Sequence, residues 1–70
     1  MATPEPISRI ESEVIRIRAL LQGGQIEPAL QAAEALSVEV PENRDVLYMI
    51  AVAQRYLRRI PDALATLERL

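Results

Sequence analysis

The amino-acid sequence predicts an all-α fold built from antiparallel helical hairpins. Apolar residues recur at spacings of three and four along most of the chain, which is the period of one helix face. Glycine and proline interrupt that pattern where helices would end and turn back. The apolar residues are mainly Ala, Leu, Ile and Val, and only Tyr48 and Tyr56 are aromatic, a composition that suits closely packed helices better than a sheet. The pattern predicts helices at residues 9–22, 26–38, 44–57 and 62–70.

The first predicted helix follows a short lead-in. Residues 1–6 contain two prolines and little to bury, so we interpret them as a flexible segment ahead of a domain at residues 7–70. Ser8 and Glu11 form a capping-box pattern, and the helix would end at the pair Gly23–Gly24, with one glycine in the left-handed conformation. The apolar stripe of this helix consists of Ile10, Val14, Ile17 and Leu21.

The second predicted helix begins near Ile26 and is stopped by Pro41. Pro28 falls in its first turn, where the missing N–H is tolerated. Small residues in its stripe would let another helix approach closely. That stripe consists of Ala29, Leu30, Ala33 and Leu36.

The third predicted helix has apolar residues on two faces. Asn43 is placed to cap its start. One face carries Leu47, Ile50, Ala51, Gln54 and Leu57, and the other carries Val46, Met49 and Ala53. A helix that is apolar on two sides packs between neighbours, so we expect this one to be central.

The fourth predicted helix is opened by Pro61, after the pattern breaks at residues 58–60. We expect its inward residues to be Ala63, Leu64, Leu67 and Leu70. The close contacts between helices would be made at Ala29, Ala51 and Ala63, and Leu30, Leu36, Leu47 and Ile50 would join Leu64 and Leu67 in the core.

The sequence also repeats itself at an offset of 34 residues. Five residues of the second helix, Ile26, Ala29, Leu30, Glu34 and Leu36, fall on identical residues in the fourth, Ile60, Ala63, Leu64, Glu68 and Leu70, and Ala19 falls on Ala53. Both of these helices also have a proline in the first turn. Internal periods of this length are typical of stacked supersecondary units.

In the pattern of its helix-packing residues, the chain resembles the tetratricopeptide-repeat family. The resemblance is carried by Leu47, Ile50, Ala51, Ala63, Leu67 and Pro41, which match the family's pattern of large, apolar and small residues and its closing proline. It implies a short right-handed solenoid with one unit at about residues 10–43 and an incomplete second unit at about 44–70. The chain departs from the family where Glu13 and Arg16 replace apolar residues, as on a solvent-facing end helix, and where Arg58 replaces the usual turn glycine.

Composition excludes several classes of function. The chain has no cysteine or histidine, and all eight of its basic residues are arginine. The side chains that most often act as nucleophiles, bases or transition-metal ligands are therefore missing, and we predict no enzyme activity, no metal and no cofactor. A net charge of −2 argues against nucleic acid as a partner. No apolar run is long enough for a transmembrane helix and the start does not read as a secretory signal, so we expect a cytoplasmic protein with no membrane partner.

The candidate binding residues follow from the resemblance, because first helices of each unit line the concave surface in that family. The corresponding residues are Val14, Arg18, Leu21, Asp45, Tyr48, Val52, Arg55 and Tyr56, with Glu11 and Gln22 on the same face. Arg55, Arg58 and Arg59 lie close together on one helix surface. They could bind an anion or acidic peptide, or they could simply be cations that favour a helix C-terminus, which is the interpretation we prefer.

The sequence favours a protein-binding or self-association module. Fewer than two units leave apolar faces to cover, so we expect a homodimer or higher homo-oligomer formed through Val46, Met49, Ala53 and the outer side of the fourth helix. Two alternatives stay open. The chain could be the N-terminal helical part of a larger enzyme, similar to bacterial sulfotransferases with leading tetratricopeptide repeats, or a small helical chaperone for a secreted subunit.

Overall fold

A computed structural model of the chain describes residues 6–70, with side chains from residue 9 onward. This part of the chain is all-helical, with four helices and no strand, as predicted. The helices are α1 (Pro6–Gln22), α2 (Ile26–Glu39), α3 (Arg44–Tyr56) and α4 (Ile60–Glu68). Each helix packs on the next, and α3 also packs on α1, so α3 is the central helix. None of the described helices is both long and apolar enough to cross a membrane.

Local signals explain most helix boundaries. The side chain of Asn43 accepts a hydrogen bond from the backbone N–H of Val46 at 3.1 Å, which confirms the predicted cap of α3. The capping box predicted at Ser8 is wrong, because α1 begins at Pro6 and Ser8 therefore lies inside the helix. The flexible lead-in predicted for residues 1–6 otherwise falls outside the described residues.

The turns of the two hairpins have the same backbone geometry. Gly24 has a φ of 82°, as predicted for one of the paired glycines, and Arg58 has a φ of 62° at the equivalent position. In the first turn, the N–H of Gln25 donates to the carbonyl of Leu20 at 2.8 Å. In the second turn, the N–H of Arg59 donates to the carbonyl of Gln54 at the same distance. The repeat in the sequence is therefore also a repeat in the backbone structure of the two turns.

The main core lies between α1, α2 and α3. Its buried members are Val14, Ile17, Ala29, Leu30, Ala33, Leu36, Val46, Met49, Ile50 and Ala53. Small side chains in the middle of α2 allow α3 to lie close against it, as the stripe predicts. Leu47, Ala51 and Ala63 are buried as well, which agrees with the predicted close contacts.

The fourth helix is less well covered than its sequence suggests. It packs on α3 through Ala63 and Thr66, whose hydroxyl donates to the side-chain oxygen of Gln54 at 2.7 Å and lies 3.0 Å from the Asp62 carbonyl oxygen. The prediction that Leu64 and Leu67 fill the core is wrong, since they are 56% and 45% exposed. The equivalents of these two residues in α2 are buried because α3 covers them, whereas no helix within residues 6–70 covers this face of α4.

Candidate functional site

Six of the residues predicted to form a concave surface line one groove between α1 and α3. We call it the inner groove, and its volume is about 280 Å³. Its lining consists of Arg18, Leu21, Gln22, Tyr48, Met49, Val52 and Tyr56. The groove exists because α3 packs directly on α1, which brings the first helices of the two hairpins side by side.

The inner groove combines an apolar floor with an aromatic and cationic rim. Met49 is buried and forms the floor, with Leu21 and Val52 partly exposed beside it. Tyr48 and Tyr56 are both exposed, and they lie two turns apart on α3. Aromatic side chains that offer exposed area and a hydroxyl are enriched at protein interfaces. The inner groove therefore has the composition of a recognition surface.

The rim of the inner groove carries an arginine that makes no ion pair among the described residues. The guanidinium groups of Arg9 and Arg16 pair with Glu39 and Glu13, whereas that of Arg18 makes no ion pair with a described carboxylate. An arginine guanidinium in this position can donate to a carboxylate in a bidentate way.

The remaining predicted concave residues lie at either side of the inner groove. Val14 and Asp45 line an adjoining pocket of about 360 Å³, which also contains Glu11 and shares Arg18 with the inner groove. Val14 is itself buried, so it contributes a wall rather than an accessible contact. Arg55 is separate from both, because it lies beyond Tyr48 on the side of α3 that faces α4.

A second groove, of about 120 Å³, runs between α3 and α4, and we call it the end groove. It is lined by Tyr48, Ala51, Val52, Arg55, Ala63 and Leu67. Its floor is formed by the two buried alanines, and Leu67 stands at its edge. Sequence reasoning missed this site because Ala51 and Ala63 were assigned only to packing. The repeat offset alone does not reveal it, because the burial of the equivalent residues in the first hairpin is also needed.

The three predicted self-association residues do not lie on a free surface. Val46, Met49 and Ala53 are buried in the core between α1, α2 and α3. The expectation that they form an exposed face is wrong, because the second apolar face of α3 is covered by the first hairpin. One side of α4 is exposed, and it includes Leu64 and Leu67, which were expected in the core. We call its apolar residues Ile60, Leu64 and Leu67 the α4 stripe.

One surface ion pair on α1 shifts the pKa values of both of its members. The hydrogen bond from the Arg16 guanidinium lowers the pKa of the Glu13 carboxyl below its usual value, and the same bond raises the pKa of Arg16. This pair lies on α1, at positions where the repeat family has apolar residues. Among the described residues, no three histidine, cysteine, aspartate or glutamate side chains are grouped so as to hold a metal ion.

Comparison with known proteins supplies no relative from which a role could be taken. No family model, no curated protein and no solved structure matches the chain. A functional interpretation therefore depends on the two grooves and the α4 stripe.

Proposed function

We propose that this chain is a non-catalytic protein–protein interaction module of the tetratricopeptide type, and that its inner groove holds a segment of a partner protein. The observation that carries the proposal is the inner groove itself. Residues assigned to binding from the sequence, on two different helices, meet around one apolar floor. Interfaces commonly combine such a floor with aromatic and arginine side chains at its edge.

The groove also indicates the chemistry of the partner segment. Leu21, Met49 and Val52 present carbon atoms at the floor, so the partner should insert an aliphatic side chain. Arg18 stands at one edge without a described carboxylate, so an acidic group of the partner should lie there. We infer that the partner segment carries an aliphatic residue beside an Asp, a Glu or a terminal carboxylate.

Site-specific photo-cross-linking in cells tests this function. A benzophenone amino acid in place of Tyr56, which lines the inner groove alone, should give one discrete adduct with another protein. Arg18→Glu in the same chain should remove that adduct. The matched control places the benzophenone at Val38, which is 82% exposed on α2 and lies outside both grooves. The same adducts from both positions, or an adduct that Arg18→Glu leaves unchanged, would contradict the proposal.

Self-association is a second candidate function, and the α4 stripe favours it. Ile60, Leu64 and Leu67 follow one another at spacings of four and three on a single helix face, and each is about half exposed. A contiguous apolar stripe on a surface helix usually marks an interface. Light scattering over a dilution series would show a mass that falls on dilution, and Leu64→Glu should give a monomer at all concentrations. A wild-type chain that is monomeric throughout would reject this candidate.

A further inference from the structure

The end groove corresponds, through the internal repeat, to a surface that is already occupied in the first hairpin. Its six lining residues lie 34 positions after Val14, Ile17, Arg18, Leu21, Ala29 and Ala33. Four of those six, Val14, Ile17, Ala29 and Ala33, are buried in the core against α3. The turns of the two hairpins repeat as well, in the left-handed residue and in the hydrogen bond that closes each turn. The end groove is thus the second copy of the surface on which α3 lies.

We propose that the end groove binds, in trans, an amphipathic helix from another protein that has the inward pattern of α3. That pattern is Val46, Met49, Ile50 and Ala53, with apolar residues at positions i, i+3 and i+4 and a small residue at i+7. A small residue belongs to the pattern because Ala53 is fully buried in the same core as Ala29 and Ala33, and small side chains let helices approach closely. The proposal goes beyond the inner groove and does not depend on it.

A second copy of this chain, stacked head to tail, does not supply such a helix. Its first helix would have to take the place of α3, and its residues at the matching positions are Ser12, Ile15, Arg16 and Ala19. Arg16 would then take the position of Ile50 against the apolar end groove, although it already pairs with Glu13. Burying that pair without compensation is unfavourable. A head-to-tail copy therefore fits the end groove poorly, and the occupant we propose is a helix of a different sequence.

Charge gives the occupant a further feature. Arg55 in the end groove replaces Leu21 of the first hairpin. The end groove therefore has a cation where the equivalent surface of the first hairpin has an aliphatic side chain. In the first hairpin, Val52 of α3 shares the inner groove with Leu21. A helix that carries a carboxylate at the position of Val52 would place it near the Arg55 guanidinium. The preferred occupant is thus an apolar helix with an acidic edge.

Calorimetric titration with a synthetic peptide tests the proposal, because α3 itself provides the probe. A peptide with the sequence of residues 43–57 should bind the full chain with one-to-one stoichiometry. Leu67→Glu in the chain should weaken binding by about tenfold or more, since it places a charge at the edge of the seat. Val38→Glu, the same kind of change on the exposed surface of α2, should leave the affinity unchanged. Met49→Glu in the peptide should abolish binding.

A pair of charge substitutions provides a second test, in case the Leu67→Glu variant loses binding only because it does not fold. Val52→Glu in the peptide should tighten binding about threefold, and Arg55→Glu in the chain should reverse that gain. Residue 52 of the peptide and residue 55 of the chain lie at the edge of the end groove, so neither substitution should change the helical content of its chain. No binding, or binding that Leu67→Glu does not weaken, would overturn the proposal. So would a chain that accepts the peptide only after Leu64→Glu has separated a dimer, because the occupant would then be a second copy.

Discussion

The left-handed residue of the second turn provides a sensitive test of the repeat. Arg58 has a φ of 62° at the position that Gly24 occupies, with a φ of 82°, in the first turn. A residue with a Cβ loses roughly 1–2 kcal/mol in this conformation. Glycine escapes that strain, but it has more freedom to lose on folding, which offsets about 0.4–1 kcal/mol. Glycine should therefore be more stable than alanine at either turn by about 1 kcal/mol.

Alanine is the right reference because it separates backbone strain from side-chain effects. Arg58 is a cation near a helix C-terminus, an arrangement that can contribute about 0.3–1 kcal/mol, so Arg58→Gly alone would mix two terms. Comparing Arg58→Ala with Arg58→Gly removes the charge from both chains. At the first turn, Gly24→Ala reports strain directly, because a Cβ there would meet no atom within 4 Å.

Urea unfolding followed by circular dichroism would measure these differences. The difference in free energy of unfolding between the alanine and the glycine chains should have the same sign and a similar size at residues 24 and 58. In a thermal scan it should correspond to a shift of about 4–8 °C for a domain of this size. If Arg58→Ala were as stable as Arg58→Gly while Gly24→Ala lost the expected stability, the two turns would differ in conformation.

Three other changes probe single features of the fold and its surface. Asn43→Ala should destabilise the chain by about 1 kcal/mol, because it removes the hydrogen bond to the N–H of Val46; a urea midpoint equal to that of the wild type would contradict the assigned cap. Ala51→Leu should cost about 1–3 kcal/mol by overpacking the contact between α3 and α4, and an unmoved melting midpoint would show that Ala51 is not closely packed. Glu13 has a lowered pKa in the folded chain, so its pairing with Arg16 stabilises the fold above the ordinary pKa of about 4.5 and is lost as the pH falls through the folded value. The small difference in melting midpoint between wild type and Glu13→Gln should accordingly disappear in acid, and a difference that persists there would reject this pairing.

The sequence was sufficient to predict most of the helical architecture. Gly24, Asn43 and Pro61 are local signals, and each marks a boundary that the structure confirms within two or three residues. The apolar stripes of α1 and α2 correctly predicted what these helices contribute to the main core, whereas α3 faces that core mainly with Val46, Met49 and Ala53, which were expected at a free surface.

The failures share one physical cause, which is that periodicity identifies an apolar face without showing what covers it. Met49 and Ala53 were expected at a free surface, yet the first hairpin covers them. Leu64 and Leu67 were expected in the core, yet nothing within the described residues covers them. Which face is buried depends on the number and position of neighbouring helices, and that information is tertiary.

The inner groove was more accessible to sequence reasoning than the end groove. Residues such as Arg18, Tyr48 and Tyr56 were assigned to one surface through the resemblance, and the structure brings them together. Their role in binding is still a prediction. The end groove needed the burial of equivalent residues in both hairpins, which the sequence does not contain.

The most direct test of the account is the affinity of the chain for the partner captured at Tyr56. The purified partner, or the segment of it found in the adduct, would be titrated by calorimetry into wild type, Tyr56→Ala, Arg18→Glu and the control Val38→Ala. We expect each groove variant to weaken binding by about tenfold, as is usual for tyrosine and arginine side chains that anchor a partner, and the control to bind like the wild type. Equal affinity for all four chains would contradict the assignment of the inner groove as the binding site.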